Sequence, residues 1–523
     1  MPFDCRPSIT RVAGLLTKVI AVGLVVWLAA GCTTLRREVV PPVEAARLDP
    51  KSPYLKVHTK SGQAYILAHW SVDSSETRVQ GDGVRLGPGR DTVETGNFTI
   101  AMDSVALFET NVRHLSPAVA AMAIITGASV ALTVYCISNP KACFGSCPTF
   151  YASDGSGPVL QAEGFSASIA PSLEATDLDA LHVARPRSRD FVLRMENEAL
   201  ETHVVRHVDL KVARKPEDGR VLATGAGELW QTDALTPVAS ALGPEGDCTG
   251  EIRALDNVER VSLTDSSYLG AREHIDLYFD RAPEGQLGLV IASRQTLLTT
   301  FLLYQTLAYM GTLTGEWFAL MERGETSAKS GGASIGELLG TIEVEVQDET
   351  GAWVGVGRAG ETGPLARNLH LVLLPDGYDG ATPVRLVMTR GQMRLDYVAL
   401  ARVNDPIAPV RLKPVAVRKH GVEDQPALER LLDSARVLVT LPGDSYSLHY
   451  LLPEQPEKYE LFVESRGYYL EWIRSEWLEE QDAVRSLQVL TNPEGALRYL
   501  APRYKLVEEE MENVFWNSRY ARP

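Results

Sequence analysis

The chain lacks several features that would place it quickly. It has no block of basic residues, and Asp plus Glu outnumber Lys plus Arg by 67 to 51, for a net charge of −16. That balance argues against nucleic acid and against electrostatic adhesion to anionic lipid. No segment repeats at a fixed period, which excludes solenoids and propellers. The 42 glycines and 30 prolines are ordinary for a globular protein, so the chain is neither fibrous nor disordered. The six cysteines show no C-x-x-C pair of the kind found in zinc knuckles and thioredoxin-type redox proteins. No H-E-x-x-H stands anywhere in it.

What is present is clearest at the start. Arg6, Arg11 and Lys18 against Asp4 make the first stretch positive, and Val19 to Ala30 is an uncharged apolar run ending in small residues. This pattern predicts a signal peptide over residues 1–31, since the run is too short for a permanent span. Leu28, Ala29, Ala30, Gly31 and Cys32 resemble the lipobox of bacterial lipoproteins, with Ala29 where that family most often has Leu. The resemblance implies cleavage before Cys32 and a diacylglyceryl group on its thiol, with acylation of the new amine. Thr33 follows, not the Asp of an inner-membrane retention signal, so the same resemblance implies an outer-membrane anchor facing the periplasm or the cell surface. Loss of the leader removes three positive charges and one negative, taking the net charge from −16 to about −18.

Export makes disulfides the leading expectation for Cys136, Cys143, Cys147 and Cys248. Three pairings are possible, of which Cys143 with Cys147 and Cys136 with Cys248 are favoured over a four-thiolate metal site. No cofactor and no metal is expected.

Patterning predicts an α+β chain that is mainly β, with several small β-barrel or β-sandwich domains, a buried apolar helix and C-terminal amphipathic helices. Residues 32–52 hold Arg36, Arg37, Pro41, Pro42 and Pro50 without apolar periodicity, which predicts a tether. A small β domain follows over 53–115, with hairpin glycines between Gln80 and Arg90. Residues 116–138 contain the uncharged run Ala118 to Ile137, rich in small residues, either a transmembrane helix or a buried or membrane-contacting segment. A β-rich domain over 139–324 ends in a long apolar helix, Gln295 to Met321. A linker over 325–336, a β-sandwich-like module over 337–404 and an α+β domain over 405–523 complete the division. The last is expected to carry helices near Leu470 to Val489 and Arg503 to Trp516.

Motifs that could carry chemistry have plainer readings. Gly332, Ala333, Ser334, Ile335 and Gly336 spell the G-x-S-x-G nucleophile elbow but follow a polar linker, where that motif needs a strand. Gly355 to Gly360 spell G-x-G-x-x-G with no apolar helix behind them, and a hairpin turn is expected. His203 and His207 have zinc-ligand spacing for a helix, but the valines around them predict a strand. Asp376 and Asp379, each followed by glycine, fit tight turns better than calcium ligands. Trp353, Tyr378, Tyr468, Tyr469, Trp472 and Trp477 could stack on sugar rings, though such aromatics are more often core. The dense run of Tyr468, Tyr469, Trp472 and Arg474 is the candidate protein interface. Catalytic residues cannot be assembled from one sequence, because triad partners meet only in the fold.

Cys143 to Tyr151, with Asp154 and Gly155, is similar to a "C-P-x-x-Y…D-G" segment of large bacterial extracellular proteins. These include the non-repeat β-rich parts of cartilage-acidic-protein-like and tetratricopeptide-containing chains. Asn197, Glu198, Glu201, Thr202, Asp209 and Leu210 fit their following pattern, and Pro442 to Asp444 and Glu464 to Tyr469 a later portion. The likeness spans much of 136–520. It implies a multi-domain β-rich exported scaffold and transfers no catalytic residue.

Together these point to a lipid-anchored envelope protein that binds another envelope protein or polymer. The alternatives are an enzyme acting on envelope polymers, or a carrier or chaperone of hydrophobic cargo that uses the apolar stretches near 118–137 and 295–321.

Overall fold

A computed structural model describes residues 33–73, 77–87, 92–115, 148–165, 168, 171, 174–315, 338–360, 362–472, 478 and 480–513. The chain divides into two compact units, Met1–Gly127 and Ala128–Pro523. It is mainly β, with several sheets, a small closed barrel and C-terminal helices.

The first unit is one antiparallel sheet in the order Thr33–Val40, Val105–Leu115, Leu55–Thr59, Ala64–Val72, Arg78–Leu86, Thr92–Ala101. Alternation sets its inner face. Leu55, Val57 and Thr59 are buried, while Lys56 and His58 lie between them half-exposed. The tether expected over 32–52 is corrected here. Thr33–Val40 pairs along its whole length with Val105–Leu115, and a short 3-10 helix at Pro42–Arg47 helps to place Val40, Ala45 and Leu48 against Leu55, Leu67 and Phe108. Pro41 and Pro42, taken as marks of a tether, open that helix instead. Gly81 and Gly83 stand within a strand, not at its turn. A Cβ on Gly83 would lie 1.9 Å from the Ile66 carbonyl oxygen, so the close approach there requires glycine.

The second unit is a stack of β layers. An outer sheet runs Val422–Glu423, Ala416–Lys419, Ser445–Leu451, Asp190–Glu196, Thr149–Ser153, Pro158–Glu163. Against it lies a middle sheet, Val410–Leu412, Glu201–Arg214, Tyr459–Glu471, Ala175–Ala180, with Leu438–Thr440 also pairing to Glu201–Arg214. Phe150, Leu193 and Met195 from the first meet Val205, Val208, Val212 and Val463 from the second. The far side of the middle sheet packs Ala213 and Phe462 on Val221, Ala223 and Leu229 of a closed barrel. That barrel runs Arg220–Thr224, Leu229–Pro237, Met393–Pro406, Leu287–Gln295, Asn368–Leu373, and a parallel pair closes it. Leu222, Val290, Leu369, Leu371 and Val403 form a core cluster drawn from its strands. Leu289 and Ile291 join instead a core made with Ile275, Leu277, Val344 and Leu386 of a last six-stranded sheet.

The divisions expected at 325–336 and near 405 are therefore not domain boundaries. Strands from 337–404 enter both the barrel and the last sheet beside strands from the preceding segment, and Tyr459–Glu471 pairs residue by residue with Glu201–Arg214. Residues 325–336 lie outside the described residues. The apolar helix begins later than its pattern suggested. Gln295 ends a strand, the α-helix spans Leu298–Met310 with Gly311 at φ 54° as its C-cap, a 3-10 turn follows at Gly311–Leu313, and residues 316–321 lie outside the described residues. Twelve of its thirteen residues are buried, so its lack of a polar face reflects burial all round. Near the C-terminus the strand runs on through Leu470 to Glu471, and the helices are Ala483–Thr491 and Pro493–Lys505. Asp482 and Asn492 cap them by accepting from backbone N–H groups. No helix of the described residues is long and apolar enough to cross a membrane, and Ala118 to Ile137 lies outside them.

Candidate cation-binding site on the middle sheet

The strand Glu201–Arg214 carries both histidines of the four-residue spacing, and a β-bulge decides where each points. Val205 pairs with Gly467 and His207 with Arg466, so Arg206 is an extra residue and the side-chain alternation reverses across it. Before the bulge Glu201, His203 and Val205 share the face toward the outer sheet. After it His207, Asp209 and Lys211 face away. Gly467 opposite the bulge has no room for a side chain, since a Cβ there would sit 2.4 Å from the Val204 carbonyl oxygen and 2.9 Å from the Phe165 ring. The two histidines thus lie on opposite faces and cannot share an ion.

His203 is wholly enclosed. Its Nε2 lies 3.0 Å from Glu201 Oε2 with both side chains fully buried, and its ring meets Tyr469 edge-on at 6.3 Å. Burial lowers its pKa to about 3 against the pull of Glu471 and Asp444, so the neutral ring donates Nε2–H to Glu201.

His207 keeps some solvent access and belongs to a charged group on the other face. Arg411, from the three-residue edge strand Val410–Leu412, places its guanidinium among three acceptors. Its Nε donates to Asp209 Oδ2 at 2.6 Å, and its Nη2 lies 2.6 Å from Glu464 Oε1 and 3.2 Å from His207 Nε2. A guanidinium only donates, so Nε2 of His207 offers a lone pair and the ring proton sits on Nδ1. Burial lowers the His207 pKa, aided by Arg411 and Arg466 and opposed by Asp209 and Glu464. Burial would raise Glu464, but Lys211 at 2.5 Å, Arg411 and His207 outweigh it and hold the carboxyl below its ordinary range. Next along the face, Glu174 receives both Arg206, at 2.6 and 2.8 Å, and Arg466, at 2.7 Å. The hydrogen bond from Arg206 is the main cause of its lowered pKa. Chemically the arrangement offers three lone-pair donors around one cation, not a nucleophile beside a base.

Residues expected from sequence fare differently. Tyr469 is fully buried, so it belongs to the core and not to an interface; the pairing register turns it inward with Val463. Tyr468 and Trp472 are half-buried, and the Trp472 indole donates to the Thr202 hydroxyl at 3.0 Å. Arg474, Trp477 and Ser334 lie outside the described residues, as do Cys32, Cys136, Cys143 and Cys147. Cys248 is buried and free among the described residues, and Cys136, its expected partner, lies outside them. The Cys248 Sγ lies 3.6 Å from the Ala241 carbonyl oxygen, and burial pushes the thiol up to about 11. Gly355 and Gly357 stand inside the strand Trp353–Arg358, whose hairpin turn comes earlier, where Gly351 has φ 82°. Asp376 and Asp379 precede glycines with φ of 84° and 77°, as tight turns require. Trp353 is covered by Arg385, whose guanidinium carbon lies 3.9 Å from the ring centre.

Asp209, Glu464 and Arg411 were not anticipated as a group. The alternation His207, Asp209, Lys211 was a readable sign of one polar face, but the partners come from strands more than 190 residues away, as the separation of 202 between Arg411 and Asp209 illustrates. No protein-family model matches the chain, and no curated protein matches its sequence.

Proposed function

We propose that the chain is a lipid-anchored protein of the cell envelope, held through Cys32, whose body binds another envelope component without catalysing a reaction. The observation that carries the reading is the lipobox-like run Leu28 to Cys32, joined directly to a paired strand. Thr33 stands opposite Leu115, so the chain leaves one end of the N-terminal sheet toward Cys32 on one strand and toward the uncharged run Ala118 to Ile137 on its neighbour. In the second unit, ion pairs such as Arg220 with Glu460 and Arg385 with Asp276 tie strands together, and Arg260 with Glu245 and Glu273 ties connecting segments to a strand, as suits a stiff binding platform.

Two measurements test the two parts. Mass spectrometry of the N-terminal peptide should find a diacylglyceryl group on Cys32, and Cys32→Ser should abolish it; an unmodified cysteine removes the anchor. Crosslinking in intact envelopes followed by pulldown should capture one reproducible partner, and capture of none removes the binding role.

A further inference from the structure

The group around Arg411 has the donor set of a metal site with an organic cation already in it. From this geometry we infer that His207, Asp209 and Glu464 form a binding site for a divalent transition-metal ion, with Arg411 as the resident cation that the metal displaces. One ligand atom from each of the three lies within 4.8 Å of the others, and Nε2 of His207 is 3.5 Å from Glu464 Oε1. An imidazole nitrogen with two carboxylates suits zinc or manganese, and solvent would complete the shell.

Three features single this group out from the other ion pairs of the molecule. The His207 Nε2 lone pair is aimed at the same guanidinium nitrogen that Glu464 holds, so one point in space is already shared by a nitrogen and an oxygen donor. Asp209 has a side chain only 1% exposed, and its Oδ1 has no hydrogen-bond donor among the described residues, although a buried carboxylate oxygen demands one or a cation. Arg411 is the movable member. Its side chain is 48% exposed and it sits on an edge strand of three residues, whereas Asp209 and Glu464 are fixed on the two long central strands. Lys211 stays on Glu464 Oε2 and leaves Oε1 for the ion. Swinging Arg411 outward thus opens the site without moving a ligand-bearing strand.

The test uses the purified full chain, freed of metal by a chelator and titrated with Zn²⁺ by calorimetry, with Ca²⁺ as the oxygen-preferring control. Arg411→Ala should bind Zn²⁺ about tenfold tighter than the unaltered chain or better, because a charge-assisted hydrogen bond no longer has to be broken. His207→Ala should weaken binding by about the same factor. Co²⁺ in place of Zn²⁺ should give visible d–d bands that His207→Ala loses. Should Arg411→Ala fail to fold by circular dichroism, Arg411→Gln takes its place. Arg411→Ala binding no tighter, His207→Ala binding as well as the unaltered chain, or no Zn²⁺ uptake by either the unaltered chain or the arginine variant would each overturn the site.

Discussion

The two halves of the strand Glu201–Arg214 have similar sequences and opposite fates. Each sets a histidine beside an acid at i±2, Glu201 with His203 in the first half and His207 with Asp209 in the second. One pair is sealed between two sheets, and the other opens on a charged face with Arg411 and Lys211. What sends them to opposite faces is one extra residue, Arg206, which reverses the alternation. A polar pair therefore acquires its chemistry from the layer it faces. Buried, it is a fixed structural bond; half-exposed, it becomes an exchangeable ion site.

The sharpest way to break this comparison is His203→Ala. It leaves a ring-sized gap and takes from the buried Glu201 a donor, so denaturant unfolding should show a loss of about 3–5 kcal/mol. A loss under about 1 kcal/mol would mean that the sealed half is no more structural than the open one.

Acid should come next. His203 and His182 titrate near 3 in the folded chain, both mainly through burial, against 6.5 ordinarily. Only the unfolded state takes up these protons as pH falls below 6.5, so stability is full above that value and drops toward 3. By pH 5 the loss should be about 2 kcal/mol per histidine, and His203→Gln should remove one share of it. Unfolding midpoints that do not move between pH 7 and pH 5 would contradict the buried neutral state of both rings.

Gly467→Ala probes the bulge itself. Forcing a Cβ against the Val204 carbonyl oxygen should cost about 1–3 kcal/mol. Arg411→Ala in metal-free buffer should have a cost of similar size, about 1–3 kcal/mol, because the guanidinium is itself half-exposed but its loss takes the donor from the buried Asp209 carboxylate. A cost as large as that of His203→Ala would remove the contrast.

Much of the β character was legible. The valines around His203 and His207 predict a strand, and Glu201–Arg214 is one, because side-chain patterning is a local property of the pleat. Thr33–Val40 was missed because a strand whose pairing is supplied by a distant neighbour needs little apolar periodicity of its own. Leu470 and Glu471 were misassigned to a helix because aromatics and charges at mixed spacing fit either state, and pairing with Glu201 and Thr202 settled it. The domain divisions failed for a related reason. Composition changes are local, whereas strand pairing joins segments far apart in the chain, as Tyr459–Glu471 pairs with Glu201–Arg214.

By itself, the sequence determined the mainly β class, the strand character around His203 and His207 and the lipobox-like run at Cys32, all of which follow from patterns a few residues long. Only the tertiary structure decided that His203 and His207 part company, that Tyr469 is core, and that Asp209, Glu464 and Arg411 meet. Each of these depends on register and layer order, and a single inserted residue changes register without changing composition or local propensity.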